Sequence, residues 1–227
     1  MSLDINRIQA ILFDIDGTLS DSDDHMVTSL EKAFRYPLFF LKPHRRHALA
    51  RWTVMAMETP GNFIYNQADR FDLDSFFIKV LNQHSRSHKA KTKGYRIIPG
   101  VSHMLAQLKK FYPMAVVSAR DEVSSLAFIH QFSLEDHFKV VVSSQTCRYT
   151  KPFPDPLIYA AEKLGVAPEN CLMVGDTPVD MRSATLANMQ AMGVLCGFGR
   201  QAELERAGAH IILPSTADLL NLPGILP

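Results

Sequence analysis

The chain has 227 residues, 47% hydrophobic and 21% charged, with a net charge of +1. That composition excludes wholesale disorder and gives no global reason to expect a nucleic-acid partner. No apolar run approaches the ~20 residues of a membrane helix, and the polar amino terminus lacks a secretion-signal pattern, so a soluble, cytoplasmic protein with no membrane partner is expected.

The first predicted element is a buried strand over residues 8 to 13 (Ile8-Gln9-Ala10-Ile11-Leu12-Phe13). It runs directly into Asp14-Ile15-Asp16-Gly17-Thr18-Leu19, where two carboxylates flank one residue and Gly17 permits a sharp turn. In an open α/β sheet, the crevice outside the carboxyl ends of the strands binds ligands. Two acids there suit chemistry better than packing. One can act as nucleophile and the other as proton donor, with a metal ion between them.

Residues 21 to 94 break the strand rhythm: helical stretches are expected at Asp24 to Phe34, Arg46 to Met57 and Leu73 to His88, with no strand. From residue 97 two periods alternate. Val101 to Phe111 reads as an amphipathic helix with Val101, Met104, Leu105, Leu108 and Phe111 on one face. Met114 to Val117 is a strand, Glu122 to Phe132 a helix and Lys139 to Ser143 a strand. Pro156 to Leu164 is a helix closed by Gly165, followed by a strand at Leu172 to Val174. Val179 to Asn188 is helical, Ala191 to Leu195 a strand, Gln201 to Ala207 a helix and His210 to Leu213 a strand.

Such alternation means βαβ units and a Rossmann-like parallel sheet. The expected organisation is an α/β core of residues 1–20 and 95–227 with an α-helical cap, 21–94, inserted after the first strand. Leu19 to Asp21 and Lys93-Gly94-Tyr95 would join the two as hinges. Basic residues outnumber acidic ones in the cap, partly through Arg86, Lys89, Lys91 and Lys93. Such a run is a solvated linker or a means of drawing in an anionic substrate. His84 and His88, four apart in a basic neighbourhood, read as a plain helix face rather than a metal pair. The basic cap residues His44, Arg45, Arg46, His47 and Arg51, with Trp52 and Phe63, receive no role. Cys147, Cys171 and Cys196 lack metal-ligand spacing and read as reduced, packed thiols.

Four strand ends carry polar residues expected on one edge of the sheet: Asp14 with Asp16, Ser118, Lys151-Pro152, and Gly175-Asp176 with Asp180 four residues on. Each alone has an ordinary use. A serine after a strand caps a helix, a lone lysine sits on the surface, and Asp180 suits a first helical turn.

The ordered set resembles the haloacid-dehalogenase superfamily, in the branch with a helical cap between its first and second motifs. FDIDGTL is similar to motif one, Ser118 to motif two, Lys151 to motif three and GDTPVD to motif four. The flanking text IIPGVSHMLAQLKK, KPFPDPLIYAAEKLGVAPENCLMVGDTPVD and AGAHIIL extends the likeness, which covers residues 8 to 20 and 97 to 220 and most resembles phosphoglycolate-phosphatase-like members.

The resemblance implies an Mg²⁺-dependent phosphatase acting on a small-molecule phosphate ester through an aspartyl-phosphate on Asp14. Asp16 would protonate the leaving alcohol and then deprotonate water. Asp14 and Asp176 side chains and the Asp16 carbonyl would ligate Mg²⁺, with Asp180 in or just outside that set. Ser118 and amides near it, Ala119 among them, would hold phosphoryl oxygens, and Lys151 would offset charge between Asp14 and the phosphate. Dehalogenases of this superfamily lack an acid two residues after the nucleophile, so Asp16 favours phosphate esters.

Motif two departs from the commonest pattern, with Ala119-Arg120 where such phosphatases often have Asn and then Lys or another residue. This weakens phosphoglycolate as the specific substrate. Arg120 has two open readings, gripping a second substrate anion or pairing with Asp121 or Glu122. A phosphomutase and a catalytically idle binding module stand as alternatives. Monomer and homodimer both remain open.

Overall fold

The computed structural model describes residues 3–21 and 94–226. The expected cap helices, and the cap residues from His44 to His88 named above, lie outside the described residues.

Six strands form one parallel sheet: β1 (Ala10–Phe13), β2 (Met114–Val117), β3 (Val140–Val142), β4 (Cys171–Gly175), β5 (Gln190–Val194) and β6 (Ile211–Leu213). Their spatial order is β3-β2-β1-β4-β5-β6. Among the described residues, five helices connect them: α1 (Val101–Leu108), α2 (Glu122–Gln131), α3 (Asp155–Leu164), α4 (Pro178–Leu186) and α5 (Gln201–Ala207). This order is Rossmann-like, in keeping with the parallel sheet expected. It reverses direction beside β1, so the crevice between the carboxyl ends of β1 and β4 is the natural ligand site.

Side chains alternate across the sheet and build a core on each face. Ile11, Phe13, Val116, Val174 and Met192 meet Met104, Leu105 and Leu108 of α1 and Phe128 and Ile129 of α2. On the other face Ala10, Leu12, Ala115, Met173 and Ala191 meet Leu157, Ala160 and Ala161 of α3, Ala184 of α4 and Leu204 of α5. The alanines let α3 and α4 approach that face closely. The inner strands β1, β2, β4 and β5 are buried on both sides, which is why their sequences are apolar almost throughout rather than alternating, whereas the edge strands β3 and β6 are partly exposed.

Boundaries shift where the chain has to turn. The strand expected from residue 8 begins at Ala10. The helix expected to reach Phe111 ends at Leu108, and Phe111 is 49% exposed rather than part of the core face. Pro113 cannot continue a helix, so the chain leaves α1 before entering β2. Tyr112 docks instead, donating its hydroxyl to the Ile225 carbonyl at 2.9 Å.

The two chain segments flanking residues 22–93 run side by side. Ser20 pairs antiparallel with Ile97, Asp21 N donates to Arg96 O at 2.9 Å and Ile98 N to Leu19 O at 3.0 Å. The Gln131 side chain clamps Tyr95, accepting from its N at 3.0 Å and donating to its O at 2.7 Å. Leu19 to Asp21 is thus paired with residues 96–98. All three cysteines are free thiols, and burial pushes that of Cys171 up to about 12. No helix among the described residues is long and apolar enough to cross a membrane.

Candidate active site

Strand β1 delivers Asp14 to the switch point, and its amide extends the ladder by donating to Val174 O at 3.0 Å. The following loop folds tightly, with the Thr18, Leu19 and Ser20 amides converging on the Ile15 carbonyl. Gly17 takes φ +69° there, a conformation glycine adopts without strain. Strand β2 delivers Ser118 in the same way, its amide donating to Val142 O at 2.9 Å.

Asp14, Asp176 and Asp180 are all buried and offer one carboxylate oxygen each within 4.8 Å of one another. Lys151, itself buried, bridges two of them, at 2.8 Å from Asp14 Oδ1 and 2.6 Å from Asp180 Oδ1. Burial lowers the pKa of the ammonium, but the two carboxylates outweigh it and hold Lys151 firmly protonated. At Asp14 burial dominates. Lys151 pulls its carboxyl down while Asp180 and Asp16 push it up, and it settles at about 7.

Asp180 serves the helix as well as the cluster. It sits at the third position of α4 in a capping box with Thr177. Its Oδ2 accepts from Thr177 N at 3.1 Å and Oγ1 at 2.7 Å, leaving Oδ1 for Lys151. The ordinary first-turn role and the role in the cluster therefore coexist.

Asp176 is fully buried and held from two sides: Thr18 Oγ1 donates to its Oδ1 at 3.3 Å and Phe198 N to its Oδ2 at 2.7 Å. Thr216 supports the loop from behind, donating to Thr18 O at 2.6 Å. A Cβ on Gly197 would run into the Asp176 carboxylate and the Gly17 carbonyl, so only glycine fits there. Sequence reasoning missed Thr18, Gly197 and Phe198. The signal was the Gly-Phe-Gly run just beyond the β5 strand, on the same sheet edge as the acids.

A cavity of about 10 Å³ opens among these groups, lined by Asp14, Asp16, Ala119, Lys151, Thr177, Val179 and Asp180. Ser118 is buried next to the lining residue Ala119 in the chain but is not itself among the lining residues, and it accepts from Arg120 N at 3.2 Å. Arg120 pairs with neither Asp121 nor Glu122. It forms an ion pair with Asp16, while Asp121 caps α2 by accepting from Ser124 N at 2.9 Å. Asp16 lines the cavity with its side chain outside the carboxylate trio.

The donor set suits a hard divalent cation: three buried carboxylates against one ammonium leave negative charge that a second cation would balance. A profile of haloacid dehalogenase-like hydrolases matches residues 11–194. The chain belongs to this family. Its relatives include a phosphoglycolate phosphatase from Nitrosococcus oceani, 28% identical over 96% of this chain and 97% of that one. Another is a phosphoglycolate phosphatase from Neisseria meningitidis, 27% identical over 92% of this chain and 89% of that one. A solved hydrolase from Pseudomonas syringae superposes with a TM-score of 0.66 at 25% identity, covering 94% of this chain and 96% of that one. The chain is a hydrolase, and relatives that span it are named phosphatases.

Proposed function

We propose that this hydrolase is an Mg²⁺-dependent phosphatase that cleaves a small-molecule phosphomonoester by way of an aspartyl-phosphate on Asp14. The observation carrying the reading is the convergence of Asp14, Asp176 and Asp180 at the switch point, with Lys151 between two of them. Asp14, Asp176 and the Asp16 carbonyl would hold Mg²⁺, whose charge lets a carboxylate approach a phosphate dianion. Asp180 acts on the same cluster through Lys151 and Thr177.

Asp14 attacks phosphorus as the ester P–O bond breaks, and Asp16 gives a proton to the departing alkoxide. Asp16 then takes a proton from the water that attacks the aspartyl-phosphate, freeing inorganic phosphate and Asp14. Lys151 orients Asp14 and offsets charge that builds on the phosphoryl group. The Ser118 hydroxyl, which accepts from Arg120 N, has its own proton to donate to a phosphoryl oxygen, beside the Ala119 backbone. We place the enzyme in the cytoplasm, where its three free thiols stay reduced.

The Nitrosococcus oceani and Neisseria meningitidis relatives are named for phosphoglycolate. In this chain two donors of Arg120 are engaged with Asp16, so the search for a substrate extends to other small phosphate esters. A panel of such esters, assayed for inorganic phosphate, is expected to give release with Mg²⁺ and none with EDTA. Asp14→Asn should lower turnover by at least ~10³-fold. Wild-type turnover in that variant overturns the nucleophile assignment, and phosphoryl exchange without phosphate release points to a mutase instead.

A further inference from the structure

Arg120 stands two residues beyond Ser118, where the chain leaves β2 for α2. Its Nε donates to Asp16 Oδ2 at 2.6 Å and its Nη2 to Asp16 Oδ1 at 2.5 Å, two prongs of one guanidinium on one carboxylate. The guanidinium lies over the Tyr95 ring, 4.8 Å from its centroid, and 5.9 Å from that of Phe128. Those rings brace each other edge to face at 5.9 Å, and Gln131 clamps the Tyr95 backbone. The third nitrogen, Nη1, is buried with no hydrogen-bond partner among the described residues. Stability alone disfavours such an arrangement, because a buried donor without a partner is destabilising.

Asp16 lines the cavity and the Arg120 side chain, absent from that lining, makes its hydrogen bonds to Asp16. Proton transfer requires a carboxyl within hydrogen-bond reach and correctly aimed. A two-pronged guanidinium fixes the plane of a carboxylate as well as its distance, whereas an ammonium acts as a point charge. We propose that Arg120, backed by Tyr95 and Phe128, is a positioning residue that aims the Asp16 carboxyl at the leaving-group oxygen. The fork takes one lone pair of each Asp16 oxygen, leaving another to carry the proton. That proton moves to the ester oxygen as its bond to phosphorus breaks and the bond from Asp14 forms. The inference rests on Asp16 being the acid-base group.

The test uses leaving groups. Values of kcat/KM report steps through cleavage of the ester bond, and p-nitrophenolate departs without a proton whereas an alkoxide needs one. Arg120→Ala is expected to lower kcat/KM for an alkyl phosphate by ~100-fold, the scale of a small misplacement. For p-nitrophenyl phosphate the loss should stay within about fivefold. Arg120→Lys should fall between, and Tyr95→Leu should give a smaller loss with the same substrate preference. Those two variants carry the test where Arg120→Ala fails to fold, with folding judged from thermal unfolding with and without Mg²⁺. Equal losses on both substrates overturn the inference, as does a gain on the alkyl phosphate, which would mean that Arg120 holds Asp16 away. Asp16→Asn separates the two levels. It should discriminate between leaving groups as Arg120→Ala does, and its failure to discriminate sinks the acid-base reading itself.

Discussion

At Asp14, burial and the neighbouring carboxylates outweigh Lys151, so the folded protein without a cation keeps a proton there up to about pH 7. An unfolded aspartate loses its proton near 3.8. Between these values the folded state binds the extra proton, so raising the pH weakens the cation-free fold. The contribution is fully present below the lower value and gone above the upper one. Melting temperatures in EDTA should therefore fall between about pH 5 and pH 7, with a shallower slope in Asp14→Asn. Mg²⁺ should displace that proton, and proton release on binding should grow as the pH drops below about 7. Identical slopes for the two proteins in EDTA would assign the pH dependence to other groups. Gly197 tests Asp176 from the opposite side. A methyl at this position collides with the carboxylate that the Phe198 amide holds at 2.7 Å. Gly197→Ala should weaken Mg²⁺ binding by about 10–100-fold in a calorimetric titration, the usual penalty for disturbing the support of a ligand.

Helix α2 shows how an element places a site residue. Its N-cap, Asp121, accepts from Ser124 N and, at 2.7 Å, from Ser124 Oγ, and Arg120 immediately precedes it. Asp121→Ala should cost about 1 kcal/mol, the usual value of such a cap. For a chain of this size that lowers the melting temperature by roughly 2–4 °C, readable by calorimetry. The cap role of Asp121 was hidden in the sequence, where Asp121 stood with Glu122 as an expected partner for Arg120. Elements bounded by their own residues were legible: the short apolar strand β2 and the helix α5 fall where their sequences put them. The end of α1 was not, because hydrophobic period says nothing about where the chain must turn toward its next strand. The same divide runs through the site. Asp14, Asp16 and Asp176 stood out as acids at the ends of apolar runs, whereas Lys151 in its loop and Asp180 in its helical turn stood out only as members of the ordered set. The Arg120 fork on Asp16 spans 104 residues, and the Thr18 bond to Asp176 spans 158. Local spacing carries no trace of such pairings.

On the scale of the whole molecule, the switch-point crevice concentrates like charge that folding alone does not relieve. Asp14, Asp176 and Asp180 are buried together, and Lys151 already serves two of them. A ligand that binds only this assembled cluster stabilises the entire fold by mass action, by about 2.7 kcal/mol at one hundred times its dissociation constant. At roughly 2–4 °C per kcal/mol for a chain of this length, saturating Mg²⁺ should raise the melting temperature by about 5–10 °C, and EDTA should reverse it. Sodium chloride at matched ionic strength is the control, since general screening acts on exposed charges far more than on buried ones. Asp176→Asn removes one carboxylate charge from the cluster and should shrink the Mg²⁺ increment to about 1 °C or less. A rise that sodium reproduces, or one that Asp176→Asn retains in full, would put the cation elsewhere on the molecule and leave the carboxylate cluster without the role proposed for it.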